Sequence, residues 1–287
     1  MLRRTVGGAI GLGLLIAAIV VVARQHSSIR LALQNVADQP IGDRLSLIAI
    51  MLASILGNIM LTGAMFWLLL SRYGPPKRRA GALEMQAVIA SATLINYLPL
   101  RPGVVGRVAY HKAVNGIAVR DSIVTVMQAA LLSGLAALFL TAVTLIAREQ
   151  QFSPGPAALA PLPILLAAGA LAPRFARVFL WAGAARLLDV LVTALRYHAA
   201  FALIGSPIDW TASIAFACIS VLATMVPLVS NGLGLREWAI GLLAPAIASY
   251  QMELGLTADL LNRAAELVMV TLTGVPATLW LAKRVRR

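Results

Sequence analysis

Charged side chains are scarce in this sequence, and acidic ones are the scarcest. Only 12% of the 287 residues are charged, and 24 lysines and arginines stand against 11 aspartates and glutamates. Hydrophobic residues make up 60% of the chain, and the mean hydropathy is +0.86. This composition excludes an ordinary soluble domain and is typical of an integral membrane protein.

Cysteine and the common catalytic motifs are also lacking. The single cysteine, Cys218, lies in an apolar stretch, so neither an internal disulfide nor a cysteine-rich metal site is available. No Walker motif, H-E-x-x-H motif or Asp-x-Asp motif occurs, and Gly232-x-Gly234 lacks the third glycine of a dinucleotide fingerprint. We therefore predict no metal and no cofactor, and these absences disfavour an enzyme.

Long apolar runs predict the fold class. A helix needs about 20 apolar residues to cross a bilayer. Runs of this kind, including one shorter proline-containing run at 157–172, occupy residues 5–23, 45–70, 121–147, 157–172, 178–204 and 256–282. The first follows Arg3 and Arg4 as in a signal peptide, but no small-residue cleavage site comes after it, so we predict a retained helix. We expect an all-α polytopic membrane protein, a single membrane domain over residues 1–287 with about six transmembrane helices.

A polar, helix-breaking stretch interrupts the apolar sequence at residues 225–237. Pro227 removes a backbone donor, while Gly232, Gly234 and Asn231 tolerate left-handed backbone torsions. The flanking apolar segments, 212–226 and 238–248, are each too short to span a bilayer. We therefore predict two half-helices that form a re-entrant hairpin, whose loop lines a site.

A second copy of this stretch lies at residues 96–107, N-Y-L-P-L-R-P-G-V-V-G-R. Its proline and its last glycine match Pro227 and Gly234 at one offset, and Arg107 matches Arg236 after a one-residue insertion. An internal repeat of interrupted apolar segments points to a binding site of the transporter type. We predict two halves, residues 1–150 and 151–287, each with one re-entrant hairpin.

The basic residues predict the orientation of the halves, because cytoplasmic loops carry an excess of lysine and arginine. With both termini in the cytoplasm, the basic loops 72–79 and 174–177 and the end 283–287 all fall inside, whereas 38–44 and 148–156 fall outside. The two hairpins then enter from opposite faces, so the halves form inverted-topology repeats in a bacterial cytoplasmic (inner) membrane. The net charge of +13 is explained by these loops and by lipid contacts, and we expect no nucleic-acid partner.

The charged residues of the two interrupted stretches are the candidate binding groups. Arg107 and Arg236 begin the half-helices after each loop, where free N–H groups and a guanidinium fork suit a phosphate. We expect both to hold an anionic head group in a shared cavity; alternatively, Arg236 and Glu237 only pair with other buried side chains. Further candidates share a loop or a helix face with them: Asn96, Arg101, Asn231, Gly232, Gly234, Arg263 and Glu266.

Other intramembrane charges allow fewer assignments. Arg263 and Glu266 are three apart on one helical face, and the corresponding span of the first half has Gln128 in place of Glu266. Arg186 and Asp189 are also three apart, and we predict a structural pair. Arg196 and His198 receive no role from sequence alone.

The two motifs, P-x-x-S-N-G-L-G-L-R-E at 227–237 and P-x-R-x-G-x-x-x-R at 99–107, resemble the lysylphosphatidylglycerol synthase transmembrane-region family. That family includes the flippase portion of the multiple peptide resistance factor and stand-alone relatives. The chain differs from its relatives at Val104, where they carry an acidic residue, and at Gln128-Ala129, where many carry a Glu-Arg pair. The resemblance implies lipid translocation without aminoacyl transfer.

We expect the protein to move an amphipathic membrane lipid with an anionic or phosphate-bearing head group between leaflets. Glu237 or Glu266 would then balance charge or carry a proton. One alternative is a membrane-embedded transferase acting on a polyprenyl-phosphate lipid, which would form a covalent product in detergent. The other is a non-transporting subunit of a hopanoid or glycan-lipid pathway, which would co-purify with lipid-synthesis partners. A homo-oligomer is left open.

Overall fold

The structure of the protein, a computed structural model, describes residues 34, 36–75, 78–98, 101–226, 232 and 234–285. These residues form helices joined by turns, and no strand occurs among them. In chain order the helices are α1 (Ile41–Leu70), α2 (Ala82–Ile95), α3 (Pro102–Ala113), α4 (Val119–Gln150), α5 (Pro154–Leu159), α6 (Pro161–Leu171), α7 (Arg174–Leu203), α8 (Trp210–Met225), α9 (Leu235–Ala248) and α10 (Met252–Val285).

The described residues contain five helical runs that are long and apolar enough to cross a membrane: α1, α4, α5 with α6, α7 and α10. They coincide with five of the predicted spans, so the expectation of an all-α polytopic membrane protein is confirmed at this level. The predicted span at 5–23 lies outside the described residues. On α4, Met127, Leu131 and Leu138 are each more than 60% exposed, which is how a lipid-facing helix surface is built.

Both predicted helix breaks are present. Between α2 and α3, Arg101 adopts a left-handed conformation with φ 50°, and Pro102 begins the next helix. Before α9, Gly232 and Gly234 have φ of 69° and 78°, so the two glycines supply the torsions predicted for them. Pro99, Pro227 and Asn231 lie outside the described residues.

The short helices form two antiparallel hairpins. In the first hairpin (α2–α3), the hydroxyl of Tyr110 near the end of α3 donates to Glu84 Oε1 in the first turn of α2 at 2.9 Å. In the second hairpin (α8–α9), the hydroxyl of Tyr250 donates to the carbonyl oxygen of Pro207 at 2.8 Å, just outside the two helix ends. Each hairpin therefore has a base where its two ends meet and a tip at the opposite end. The described residues of the tips are 96–98 and 101 in the first hairpin and 226, 232 and 234 in the second.

The two bases lie at opposite ends of the long helices. Helix α4 starts beside the first base and ends beside the second, where Arg148 Nη1 donates to the Ala246 carbonyl oxygen at 3.2 Å. Its 32 residues cover about 48 Å at 1.5 Å per residue. Helix α10 runs the other way and ends at the first base, where Arg284 Nη1 donates to Glu84 Oε2 at 2.8 Å. The hairpins thus approach each other from opposite ends of the bundle.

The helix contacts also occur in exchanged pairs. When the halves are exchanged, α1 to α4 correspond to α7 to α10 in order. Helix α4 packs on α3 and α8, and its counterpart α10 packs on α9 and α2. In the same way, α1 packs on α2 and its counterpart α7 packs on α8. The most extensive contact joins α1 and α7 themselves, along most of their length. Exchanging the two halves of the chain leaves these pairs unchanged, as expected for an internal repeat, whereas the packing of α6 on α7 has no counterpart among the described residues.

Candidate functional site

The two hairpin tips contact each other through Arg101. Its Nη2 donates to the carbonyl oxygens of Thr224 at 2.7 Å and Val226 at 2.8 Å, at the C-terminal end of α8. The last carbonyls of a helix lack intrahelical partners and carry the negative end of the helix dipole, so a guanidinium group is a favourable cap. Arg101, a predicted site residue, therefore joins the tip of the first hairpin to the tip of the second.

Arg236 and Glu237, in the first turn of α9, belong to a buried ion-pair network with α10. Arg236 Nε lies 3.0 Å from Asp259 Oδ2, and its Nη1 lies 2.9 Å from Glu266 Oε2. Arg263 Nη2 lies 2.7 Å from Glu237 Oε1. Asp259, Arg263 and Glu266 are spaced by four and three residues, so they share the α10 face that meets α9. We call these five residues the ion-pair network.

Polar neighbours surround the network. The hydroxyl of Tyr197 donates to Asp259 Oδ1 at 2.7 Å, and Asn262 Nδ2 lies 3.3 Å from the same oxygen. Buried Arg196 interacts electrostatically with Glu266. Arg196 joins Arg236 and Arg263 to give three positive charges, which match the three negative charges of the carboxylates. Since an unpaired charge within a bilayer costs several kcal/mol, at least about 2.5–3.5 on the lenient scale, this balance is what allows the cluster to be buried.

The surroundings of Arg236 correct the expectation of an open cavity. Arg236 is only 1% exposed, and its guanidinium group pairs with Asp259 and Glu266. The alternative interpretation, pairing with buried side chains, describes the geometry found. Arg236 Nη2 and Glu237 Oε2 have no hydrogen-bond partner within the described part of the chain. The ligand-binding role of Arg236, Glu237, Arg263 and Glu266 stays a prediction.

Arg263 connects the network to the first hairpin as well. Its guanidinium carbon lies 5.8 Å from the ring centroid of Tyr97, in the tip of that hairpin. Arg263 therefore lies between Tyr97 of one tip and Glu237 of the other, a meeting that the sequence does not reveal. Asn96 is placed differently: its side-chain oxygen lies against Gly103, where an added Cβ would approach it to 2.7 Å. Asn96 is thus part of the hairpin's own packing.

Arg107 lies apart from the network and has no carboxylate partner among the described residues. Its guanidinium carbon lies 3.8 Å from the ring centroid of Phe66 on α1, a cation–π contact. It lines a cavity of about 230 Å³ between α2, α3 and the end of α10, which we call the first-hairpin cavity. Its other walls are largely apolar, with Val88, Ile95 and Leu281 among them. Within the described part of the chain, Arg107 lines this cavity and Arg236 does not, contrary to the sequence-based expectation of one shared chamber.

A larger cavity of about 590 Å³, the second-hairpin cavity, lies between α4, α8 and the end of α9. Arg148, Asp209 and Thr211 line it near the second base, and Cys218 and Leu222 line it farther along α8. It occupies the place that corresponds to the first-hairpin cavity when the two halves are exchanged. Both cavities combine a few polar side chains with largely apolar walls, which suits an amphipathic molecule.

Some of these residues were not predicted. Asp259 is an acidic residue in an apolar span, four positions before Arg263, and that spacing was a usable signal. Tyr97, Tyr197 and Arg148 carried no comparable signal, because their roles depend on distant helices. Arg186 pairs with Asp189 as predicted, and Asn58 Nδ2 on α1 also donates to Asp189 Oδ1 at 2.7 Å.

Among the described residues, no group of histidine, cysteine, aspartate and glutamate side chains is arranged to hold a metal ion. Comparison of the chain with models of known protein families, with curated proteins and with solved structures gives no match.

Proposed function

We propose that the protein moves an amphipathic lipid with an anionic or phosphate-bearing head group between the leaflets of a bilayer. The observation that carries this proposal is the meeting of two hairpin tips whose bases lie at opposite ends of α4 and α10. Each hairpin is accompanied by its own amphipathic cavity. A lipid head group could therefore leave one cavity, pass the tips and enter the other.

In this proposal both hairpins are re-entrant and the halves are inverted repeats. The hairpin helices have 12 to 16 residues and cover about 18–24 Å, whereas the hydrocarbon core is about 30 Å thick. The first base gathers basic residues, among them Arg78, Lys112 and Arg284, and under the positive-inside rule these residues support a cytoplasmic location for it. Both termini would then lie there too, in a bacterial cytoplasmic membrane.

Arg107 is the proposed phosphate ligand of the first-hairpin cavity. A guanidinium fork binds two phosphate oxygens at once, and here no carboxylate competes for it within the described residues. The apolar walls of the cavity would take the start of an acyl chain. The charge of Arg107 thus has a partner only when an anion enters.

The ion-pair network is the proposed passage between the cavities. A phosphate near the tips could take the place of Glu266 or Glu237 beside an arginine, so one anion would replace another. Such an exchange avoids the cost of moving a bare charge through a medium of low dielectric constant. The displaced carboxylate would balance charge or carry a proton. The resemblance to the lysylphosphatidylglycerol synthase transmembrane-region family is part of the same proposal.

Reconstituted vesicles test this function. Fluorescent phosphatidylglycerol and phosphatidylcholine are incorporated, and a membrane-impermeant quencher reports the rate at which each lipid changes leaflet. We expect Arg107→Gln to slow the anionic lipid about tenfold or more, which corresponds to a loss of about 1.4 kcal/mol. The control is Lys112→Gln, an exposed residue of the same helix. Equal rates for Arg107→Gln and the parent would exclude the role of Arg107, and no translocation by the parent of any anionic lipid would exclude the function.

A further inference from the structure

Two arginines outside the site described above line a cavity of about 360 Å³ near the first base. The cavity lies where α1 ends and where α2 and α7 begin. Arg79 comes from the loop before α2, and Arg174 is the first residue of α7. Trp67, Leu70 and Met85 form the apolar part of the wall. We call this space the Arg79–Arg174 cavity.

The charge of this cavity is uncompensated. None of its lining residues is acidic, and neither Arg79 nor Arg174 forms an ion pair among the described residues. Glu84, the acidic residue in the first turn of α2, accepts hydrogen bonds from Tyr110, Asn115 and Arg284 instead. The carboxylate nearest along the chain is therefore engaged on another side.

Backbone groups add to the positive potential. Helices α2 and α7 begin after Gly81 and Pro173, and neither residue provides a side-chain cap for the free N–H groups that follow. Gly81 and Ala82 themselves line the cavity. Two helix N-termini and two exposed arginines thus border one space, and this combination of groups is the chemistry that binds phosphate.

The apolar wall indicates which phosphate compound fits. Trp67 is 38% exposed, and tryptophan is enriched at the depth where lipid head groups meet hydrocarbon. Free phosphate has no apolar surface to pack against this wall, whereas a phospholipid presents phosphate and hydrocarbon side by side. We infer that the Arg79–Arg174 cavity binds the head group of an anionic phospholipid from the leaflet at the first base. This site is distinct from Arg107 and its occupancy does not depend on lipid translocation.

Trp67 provides a direct readout. The protein is reconstituted with phosphatidylglycerol or phosphatidylcholine whose acyl chains carry bromine close to the head group. The fluorescence of Trp67 is obtained by subtracting the fluorescence of the Trp67→Phe variant from that of the parent. We expect brominated phosphatidylglycerol to quench Trp67 at several-fold lower mole fraction than brominated phosphatidylcholine. Arg79→Gln and Arg174→Gln should each reduce this preference about fivefold, because each removes a guanidinium group that would bind the lipid phosphate inside the cavity.

Two controls make the result decisive. Arg78→Gln removes an exposed charge next to Arg79 but outside the cavity, and Lys112→Gln removes one on α3. If these controls lower the preference as much as Arg79→Gln, general surface charge explains it and the site is refuted. If inorganic phosphate or glycerol phosphate at millimolar concentration abolishes the quenching preference, the cavity is a free-phosphate site and the lipid assignment is wrong. Arg174→Lys, which keeps the charge, should restore part of the preference and guards against loss through misfolding.

Discussion

Arg107 and Arg236 match in the sequence repeat, but the structure places them differently: Arg236 is the second residue of α9, whereas Arg107 is the sixth residue of α3 and not, as expected, at the helix start. Their electrostatic surroundings are also opposite. Arg236 lies between Asp259 and Glu266 of α10, at 1% exposure. Arg107 lies against Phe66 and lines a cavity, with no carboxylate partner in the described chain. The two halves therefore share the order of their helices and differ in the charges around these two arginines.

The divergence can be traced to the long helix that follows each hairpin. Gln128 on α4 stands where α10 has Glu266, and at the same offset Thr125 stands where α10 has Arg263. The hydrogen-bond partner of Gln128 is Arg72 and not Arg107: Gln128 Oε1 accepts a hydrogen bond from Arg72 Nη2 at 2.8 Å. The second half thus pairs its arginine internally, whereas Arg107 of the first half has no carboxylate partner among the described residues.

The largest expected effect comes from a substitution in the ion-pair network of the second half. Asp259→Asn leaves Arg236 with one carboxylate fewer in a fully buried setting, and breaking a buried pair in this way costs about 3–5 kcal/mol. We expect a large loss of thermal stability in detergent, followed by intrinsic fluorescence or by retention in solution after heating.

The matched control is Asp121→Asn, the same substitution at the corresponding position of α4. Asp121 is half-buried in the first turn of that helix and forms no ion pair within the described residues, so a loss below about 1 kcal/mol is expected. Equal losses for the two variants would show that the two halves do not differ in the way described.

A second prediction concerns the packing of the first hairpin. A Cβ at Gly103 would overlap the carbonyl oxygen of Ala92 on α2, whereas a Cβ at Gly106, one turn later, meets nothing within 4 Å. Gly103→Ala should therefore separate α3 from α2 and destabilise the protein by about 1–3 kcal/mol, as overpacking does. Gly106→Ala should be neutral or stabilising by up to about 1 kcal/mol.

The same measurement of thermal stability distinguishes the two glycine variants. A stable Gly103→Ala protein would mean that the first hairpin packs less closely than described. Gly106 matches Gly234 in the sequence repeat, but only Gly234 has a positive φ, so the two glycines do not meet the same backbone requirement.

The helices and their interruptions were predictable from sequence because their causes are local. Apolar run length indicates a span, and proline with glycine indicates a break, whatever lies nearby. Arg263 and Glu266 were found for the same reason, since residues three apart share a helix face. The predicted pair of Arg186 and Asp189 depends on that spacing as well.

The partners of the charged residues were not predictable, because they come from elements far apart in the chain. Arg101 caps α8 more than 120 residues away, and Arg107 packs on Phe66 of a helix before its own hairpin. The expectation that Arg107 and Arg236 share one cavity assumed that equal positions in a repeat have equal surroundings. That assumption fails where a few neighbouring side chains, such as Glu266 and Gln128, differ in charge.

The smallest expected effect comes from giving Arg107 in the first half a carboxylate neighbour, as Arg236 has in the second half. Thr125 and Arg107 line the same small cavity, so Thr125→Asp would place a carboxylate beside the guanidinium group and give it an internal partner. We expect translocation of fluorescent phosphatidylglycerol to slow by about tenfold, as for Arg107→Gln, because the lipid phosphate must now displace an anion. Thr125→Asn has nearly the same shape without the charge and should leave the rate within about twofold of the parent. If Asn and Asp slow the lipid equally, the effect is steric; if neither does, the absence of a carboxylate near Arg107 has no functional meaning, and the contrast between the two hairpins is structural alone.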